Sequence, residues 1–134
     1  MTCTGARALA LGFVTALLST NGYAATPMAF NPDLSNSSWN THYQDNAGTF
    51  SVQNVSLTFS GGSGFYQTAD GSLTGNLTGR FLNQGNDVLW EGSWRASDGS
   101  GGFLSFRIQP PYQAIHGQWN NGAVTGTWDG TIVQ

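Results

Sequence analysis

Residues 114–133 read AIHGQWNNGAVTGTWDGTIV, and their alternation decides the fold. Ile115, Gly117 and Trp119 share one parity, and so do Val124, Gly126, Trp128, Gly130 and Ile132 after the break at Asn121-Gly122. In a strand, positions two apart point to one face, so each run is a strand with an apolar side and a polar side. Asn-Gly between two such runs predicts a two-residue hairpin with a type I′ turn, because both central positions of that turn need positive φ.

The same rhythm extends back to Trp39. Runs rich in Thr, Val, Phe and Trp are separated by Gly, Asn and Asp clusters, and predict strands over 39–44, 49–60 with a break near Gln53-Asn54, 64–68, 72–81, 87–97, 103–109, 114–120 and 123–133. No stretch after residue 24 has helical periodicity. The fold class expected is therefore all-β: an antiparallel up-and-down meander of about eight strands that closes into a barrel and so removes its edges, with a two-sheet β-sandwich as the alternative.

A Gly-x-large-apolar triplet recurs at Gly48-Thr49-Phe50, Gly64-Phe65-Tyr66, Gly75-Asn76-Leu77, Gly79-Arg80-Phe81, Gly92-Ser93-Trp94, Gly117-Gln118-Trp119 and Gly126-Thr127-Trp128. Glycine is a poor strand residue, and small barrels give it a steric use: rings from one strand fill the room that a glycine leaves on the next. Gly92, Gly117 and Gly126 are expected to face neighbouring aromatics. Parity places Leu73, Leu77, Val88, Trp90, Trp94, Leu104, Phe106, Ile108, Ile115, Trp119, Val124, Trp128 and Ile132 inside. Thr74, Asn76, Thr78, Glu91, Ser93, Arg95, Ser105, Arg107, His116, Gln118, Thr125, Thr127 and Asp129 fall outside.

The first 24 residues read as an export signal: Arg7, the apolar run 8–18 (ALALGFVTALL), then small residues around Gly22-Tyr23-Ala24, with cleavage after Ala24 or Ala25. The run is too short for a spanning helix, so no membrane span is expected. Cys3 would leave with the signal, and the product would be secreted or periplasmic, with an extended lead-in over 25–38 and the barrel from 39 to 134. Arg7 would leave too, so Arg80, Arg95 and Arg107 would face seven acids, a formal charge of −4. The chain has no lysine, which excludes a basic stripe over phosphates and hence a nucleic-acid partner. Asn36-Ser37-Ser38, Asn54-Val55-Ser56 and Asn76-Leu77-Thr78 match the glycan-acceptor triplet, a pattern that chance also yields in a chain rich in Asn, Ser and Thr.

Catalytic chemistry is thinly represented. His42 and His116 lack a third spaced ligand, so no metal or other cofactor is implied. Glu91 and Asp129 are the one same-face acid pair, and each is read as an ion-pair partner of Arg95 or Arg107. There is no Gly-x-Ser-x-Gly elbow, phosphate loop or nucleophilic cysteine, so no enzyme is expected. The aromatic wealth points instead to a ligand held at a barrel mouth, with Trp39, Tyr43, Tyr66, Trp90, Trp94, Trp119 and Trp128 as candidate binding residues. The alternative is a structural or interaction domain with a filled core, using its Thr- and Asn-rich outside on a glycan or another neutral polar surface.

Trp39-Asn40, Gly48-Thr49-Phe50, Gly71-Ser72-Leu73-Thr74-Gly75 and Ile115-His116-Gly117-Gln118-Trp119 resemble the strand rhythm of avidin-like barrels within the calycin group. That resemblance implies an eight-stranded meander with a ligand at the open end, stacked on tryptophans, and sets Trp39-Asn40, Tyr66, Trp94 and Trp119 at ligand-lining places. The chain differs from the avidin pattern in length, in lacking a lysine after a strand tryptophan and in its glycine-heavy inner face, so the resemblance is one of fold.

Overall fold

Strand after strand pairs with its sequence neighbour: β1 (Ser38–Asp45), β2 (Ser51–Ser60), β3 (Ser63–Gln67), β4 (Thr74–Gln84), β5 (Asp87–Ala96), β6 (Gly101–Ile108), β7 (Ala114–Asn120) and β8 (Thr125–Val133). The structure, a computed structural model, describes residues 31–133. All pairings are antiparallel, and β8 returns to β1, so the sheet is a closed barrel rather than a sandwich. The expected export signal, Cys3 and the first part of the lead-in lie outside the described residues.

Alternation works as the sequence implies. Along β6, Leu104, Phe106 and Ile108 are buried while Phe103, Ser105 and Arg107 are exposed, and β2 and β7 repeat the pattern. The break foreseen at Gln53-Asn54 is a β-bulge: Thr41 pairs with Val55 but Tyr43 pairs with Val52, so two residues of β2 oppose His42. Asn54 takes the extra residue's left-handed conformation (φ 58°), which its side chain tolerates better than most.

Two expectations need correction at the β7–β8 hairpin. Asn121 is not at positive φ; its Oδ1 accepts from the Ala123 and Val124 amides, so the central pair is Gly122-Ala123. Only Gly122 is left-handed (φ 94°), the requirement of a II′ rather than a I′ turn. The shift leaves Val124 in the turn, 38% exposed, and not on the inner face.

The two ends of the barrel are closed differently. At the base, where β1 begins, residues 31–37 turn rather than simply extend, and Leu34 is buried there. The Phe59 and Gly61 amides donate to Ser37 O and Ser35 O, and Asn31 Nδ2 reaches Gly85 O at 3.0 Å. Above this seal lies an aromatic layer in which Phe59 meets Phe81 (4.9 Å between centroids), Trp90 (5.9 Å) and Phe106 (6.3 Å). Phe106 in turn reaches Trp128 at 5.7 Å and links this layer to the upper half.

Candidate functional site

In an up-and-down barrel the loops that follow odd-numbered strands share one end. Here they surround a cavity of about 280 Å³. Its walls are Tyr43 from β1, Tyr66 from β3, Trp94 and Ala96 from β5, Trp119 from β7 and Trp128 from β8. Phe50, Leu73, Asp98, Ser100 and Asn121 line it from the loops.

Five of the seven residues singled out in the sequence thus meet at one site: Tyr43, Tyr66, Trp94, Trp119 and Trp128. Trp39 and Trp90 do not. They are 1% and 0% exposed and belong to the lower core, with their indole N–H groups donating to Ser37 Oγ at 2.8 Å and Gly62 O at 3.0 Å.

The mouth aromatics pack on one another edge to face or at a tilt. Trp128 lies 5.1 Å from Tyr43 and 4.9 Å from Tyr66, the latter at 88°. Trp94 and Trp119 meet at 6.1 Å and 84°, and Phe50 lies 6.1 Å from Trp119. Such pairs contribute about 0.5–1.5 kcal/mol beyond their burial and fix the ring orientations. Each indole N–H is turned into the wall: Trp94 donates to Asn120 O (3.1 Å), Trp119 to Thr127 O (3.1 Å) and Trp128 to Thr41 Oγ1 (2.7 Å). Thr41 passes the chain on to Val55 O at 2.8 Å.

Burial, followed by the charges of Tyr43 and Asp98, pushes the Tyr66 phenol well above the usual tyrosine range. Burial, then Asp98, raises Tyr43 as well. Both hydroxyls therefore stay protonated at neutral pH.

Carboxylate-capped turns build the rim. Asp98 Oδ1 accepts from Ser100 N (2.9 Å) and Oγ (2.6 Å), and Asp70 Oδ1 accepts from Ser72 N (2.9 Å) and Oγ (2.7 Å). Asp45 Oδ1 accepts from the Thr49 and Phe50 amides at 2.8 and 3.1 Å, while its Oδ2 takes the Thr49 hydroxyl. The repeated Asp-Gly-Ser at 70–72 and 98–100 was the available signal, since an Asp side chain bonding two residues on is a turn device. These bonds hold the carboxyls below the usual aspartate range, with Ser100 the main cause for Asp98, Ser72 for Asp70 and Thr49 for Asp45.

A depressed folded pKa contributes stability that is present above the unfolded value of about 4 and lost as pH falls through the folded values. The urea midpoint is therefore expected to hold between pH 7 and 5 and to drop towards pH 2. D70N and D98N, which keep an acceptor but carry no charge, should flatten that drop. A midpoint unchanged from pH 7 to 2 would show that these turns carry no linkage.

The outer face corrects the expected ion pairs. Glu91 pairs with Arg80 directly across β4–β5 (3.1 Å), and Asp129 pairs with His116 across β7–β8 (3.1 Å); neither meets Arg95 or Arg107. Arg107 pairs with Asp87 instead. The two arginine–carboxylate pairs are at least partly exposed and worth about 0.2–1 kcal/mol each, whereas His116 and Asp129 form a charge pair only with the imidazole protonated. Register also sets His42 opposite Asp129, but among the described residues no group of His, Cys, Asp and Glu could hold a metal ion. A broader, shallow depression of about 860 Å³ crosses the outside of β4–β8, bordered by Thr78, Arg80, Ser93, Gln118 and Phe103, the last 70% exposed.

In comparisons with known proteins, no family model and no curated protein matched the chain.

Proposed function

We propose that this chain is an exported, non-catalytic binding protein that takes a small apolar or amphipathic molecule into the aromatic mouth of its barrel. The observation that carries this reading is the contrast between the ends: one is plugged by Leu34 and packed with rings, whereas the other keeps a cavity of about 280 Å³ walled by Tyr43, Tyr66, Trp94, Trp119 and Trp128. An apolar concavity with a few polar groups at its rim is the usual form of a small-molecule site, and this volume falls just below the usual range of about 300–1,000 Å³, which suits a small ligand. Asp98 is the one carboxylate lining the cavity among the described residues, which leaves no second acid for hydrolysis of the two-carboxylate kind.

Titration with a ligand panel followed by indole fluorescence tests the reading. A saturable change is expected for at least one small amphipathic compound, and Trp94→Ala should weaken that binding about 30-fold, the loss of a buried aromatic anchor. A second reading rests on Phe103: exposed beside Thr, Ser and Gln, it suits a glycan or other neutral polar surface on the outer face. Binding abolished by Phe103→Ala but indifferent to Trp94→Ala would decide for the outer face.

A further inference from the structure

We infer that the mouth cavity selects a substituted organic ammonium ion, seated against the aromatic wall with Asp98 as its counter-charge. This rests on the mouth being a ligand site and names the chemical class it takes. The first ground is what the wall offers. Because the indole hydrogens of Trp94, Trp119 and Trp128 are engaged by Asn120 O, Thr127 O and Thr41 Oγ1, these rings offer an occupant no donor, and half-buried Trp94 leaves the most carbon surface free beside the buried Trp119 and Trp128. Aromatic faces carry the negative part of the ring quadrupole and attract a cation within about 6 Å of the centroid, tryptophan most strongly.

The second ground is charge. Asp98 is the sole charged side chain lining the cavity among the described residues, and it forms no ion pair there. Its own turn supplies hydrogen bonds from Ser100 that keep it ionised, not a cation that would neutralise it. Arg80 and Arg107 are paired on the outer wall, Arg95 stands exposed on the outer face of β5 and makes no ion pair with Asp98, and the chain has no lysine. Asp98 also adds to the burial that raises the phenols of Tyr43 and Tyr66. An anion placed here would meet Asp98 without a compensating partner.

The third ground is hydrogen-bonding capacity. A bare primary ammonium brings three donors, and the cavity's acceptors are few: the Asp98 carboxylate, the Tyr43, Tyr66 and Ser100 hydroxyls and Asn121. An alkylated ammonium has few or none to satisfy, and its methyl groups fill apolar volume while the charge stays near the rings and the carboxylate.

Isothermal titration of the full chain with three compounds of nearly one shape separates the possibilities: choline, its carbon isostere 3,3-dimethylbutan-1-ol, and 3,3-dimethylbutanoate. Choline is expected to bind at least tenfold tighter than the alcohol, and the carboxylate weakest. D98N keeps an oxygen for the Ser100 turn, so it should reduce the choline preference over the alcohol severalfold, with near-ultraviolet circular dichroism of the variant reporting that the aromatic wall is intact. Equal binding of choline and the alcohol would overturn cation selection and leave the mouth site standing. No binding of any of the three at millimolar concentration would overturn cation selection, and together with no responder in the wider ligand panel it would overturn the mouth site as well. A tenfold preference that survives in D98N would overturn the assignment of Asp98 as counter-charge.

Discussion

Trp90→Ala is expected to cost about 3–5 kcal/mol of folding stability, the range for removing a large buried ring. A domain of this size has only about 5–15 kcal/mol in all, so the variant should sit close to unfolding in mild urea. Trp90 is fully buried, packs on Phe59 at 5.9 Å and Phe106 at 6.0 Å, and donates to Gly62 O at 3.0 Å. Its ring also fills the space over Gly79, where an added Cβ would lie 2.6 Å from Trp90 Cζ2. Truncation leaves a void in the sealed half of the barrel together with a carbonyl that has lost its donor. Trp94→Ala, at the half-buried mouth, borders a cavity already and should cost about 2 kcal/mol or less. Urea melts of the two variants therefore test the asymmetry on which the binding reading depends. Equal losses would mean that the mouth is packed as tightly as the base.

That asymmetry was latent in the sequence. Parity separates inside from outside, and it assigned Leu77, Trp90, Phe106, Ile115 and Trp128 correctly because one face of each strand is consistently apolar. Parity alone does not say which end of the barrel a ring occupies. Connectivity does: Tyr43, Tyr66, Trp94 and Trp119 come late in odd-numbered strands and Trp128 early in an even-numbered one, which brings all five to one end. Trp39 and Trp90 come early in odd-numbered strands and so belong to the other.

Strand ends were less legible where polar clusters pair. Asn83 and Gln84 read as a loop but pair with Val88 and Asp87, so β4 runs to Gln84. Its start also falls later than expected, at Thr74, because the Asp70–Ser72 turn takes up the preceding residues. Ion-pair partners depend on register to the single residue. The β4–β5 turn sets that register and makes Arg80 face Glu91, which composition cannot specify.

Valine in place of Gly92, Gly117 or Gly126 is expected to destabilise the barrel by about 3 kcal/mol, the upper part of the usual overpacking range, and to lower the melting temperature by roughly 12–24 °C. The three sites are not equivalent. At Gly117 a Cβ would meet Phe106 Cδ1 at 2.5 Å and Trp128 O at 2.8 Å, and at Gly126 it would run into Gln44 O and the Trp119 ring, so both glycines face aromatics as the sequence pattern implies. Gly92 departs from that pattern. It stands opposite Gly79, and its Cβ would strike Thr78 O and lie 2.6 Å from Gly79 Cα, so the obstacle is the backbone of β4 and not a ring. A ring can turn within its rotamer wells, whereas a strand can retreat only by lengthening the ladder bonds on either side. Gly92→Val and Gly126→Val should therefore lose more than Gly117→Val, in which part of the clash is relieved by the Phe106 ring. Ser93→Val, one residue along and exposed on the outer face, provides the contrast and should stay within about 0.5 kcal/mol of the parent. If Gly92→Val melted with Ser93→Val, the close approach of β4 and β5 at the Gly79–Gly92 pair would be wrong, and with it the reason for glycine on the inner wall.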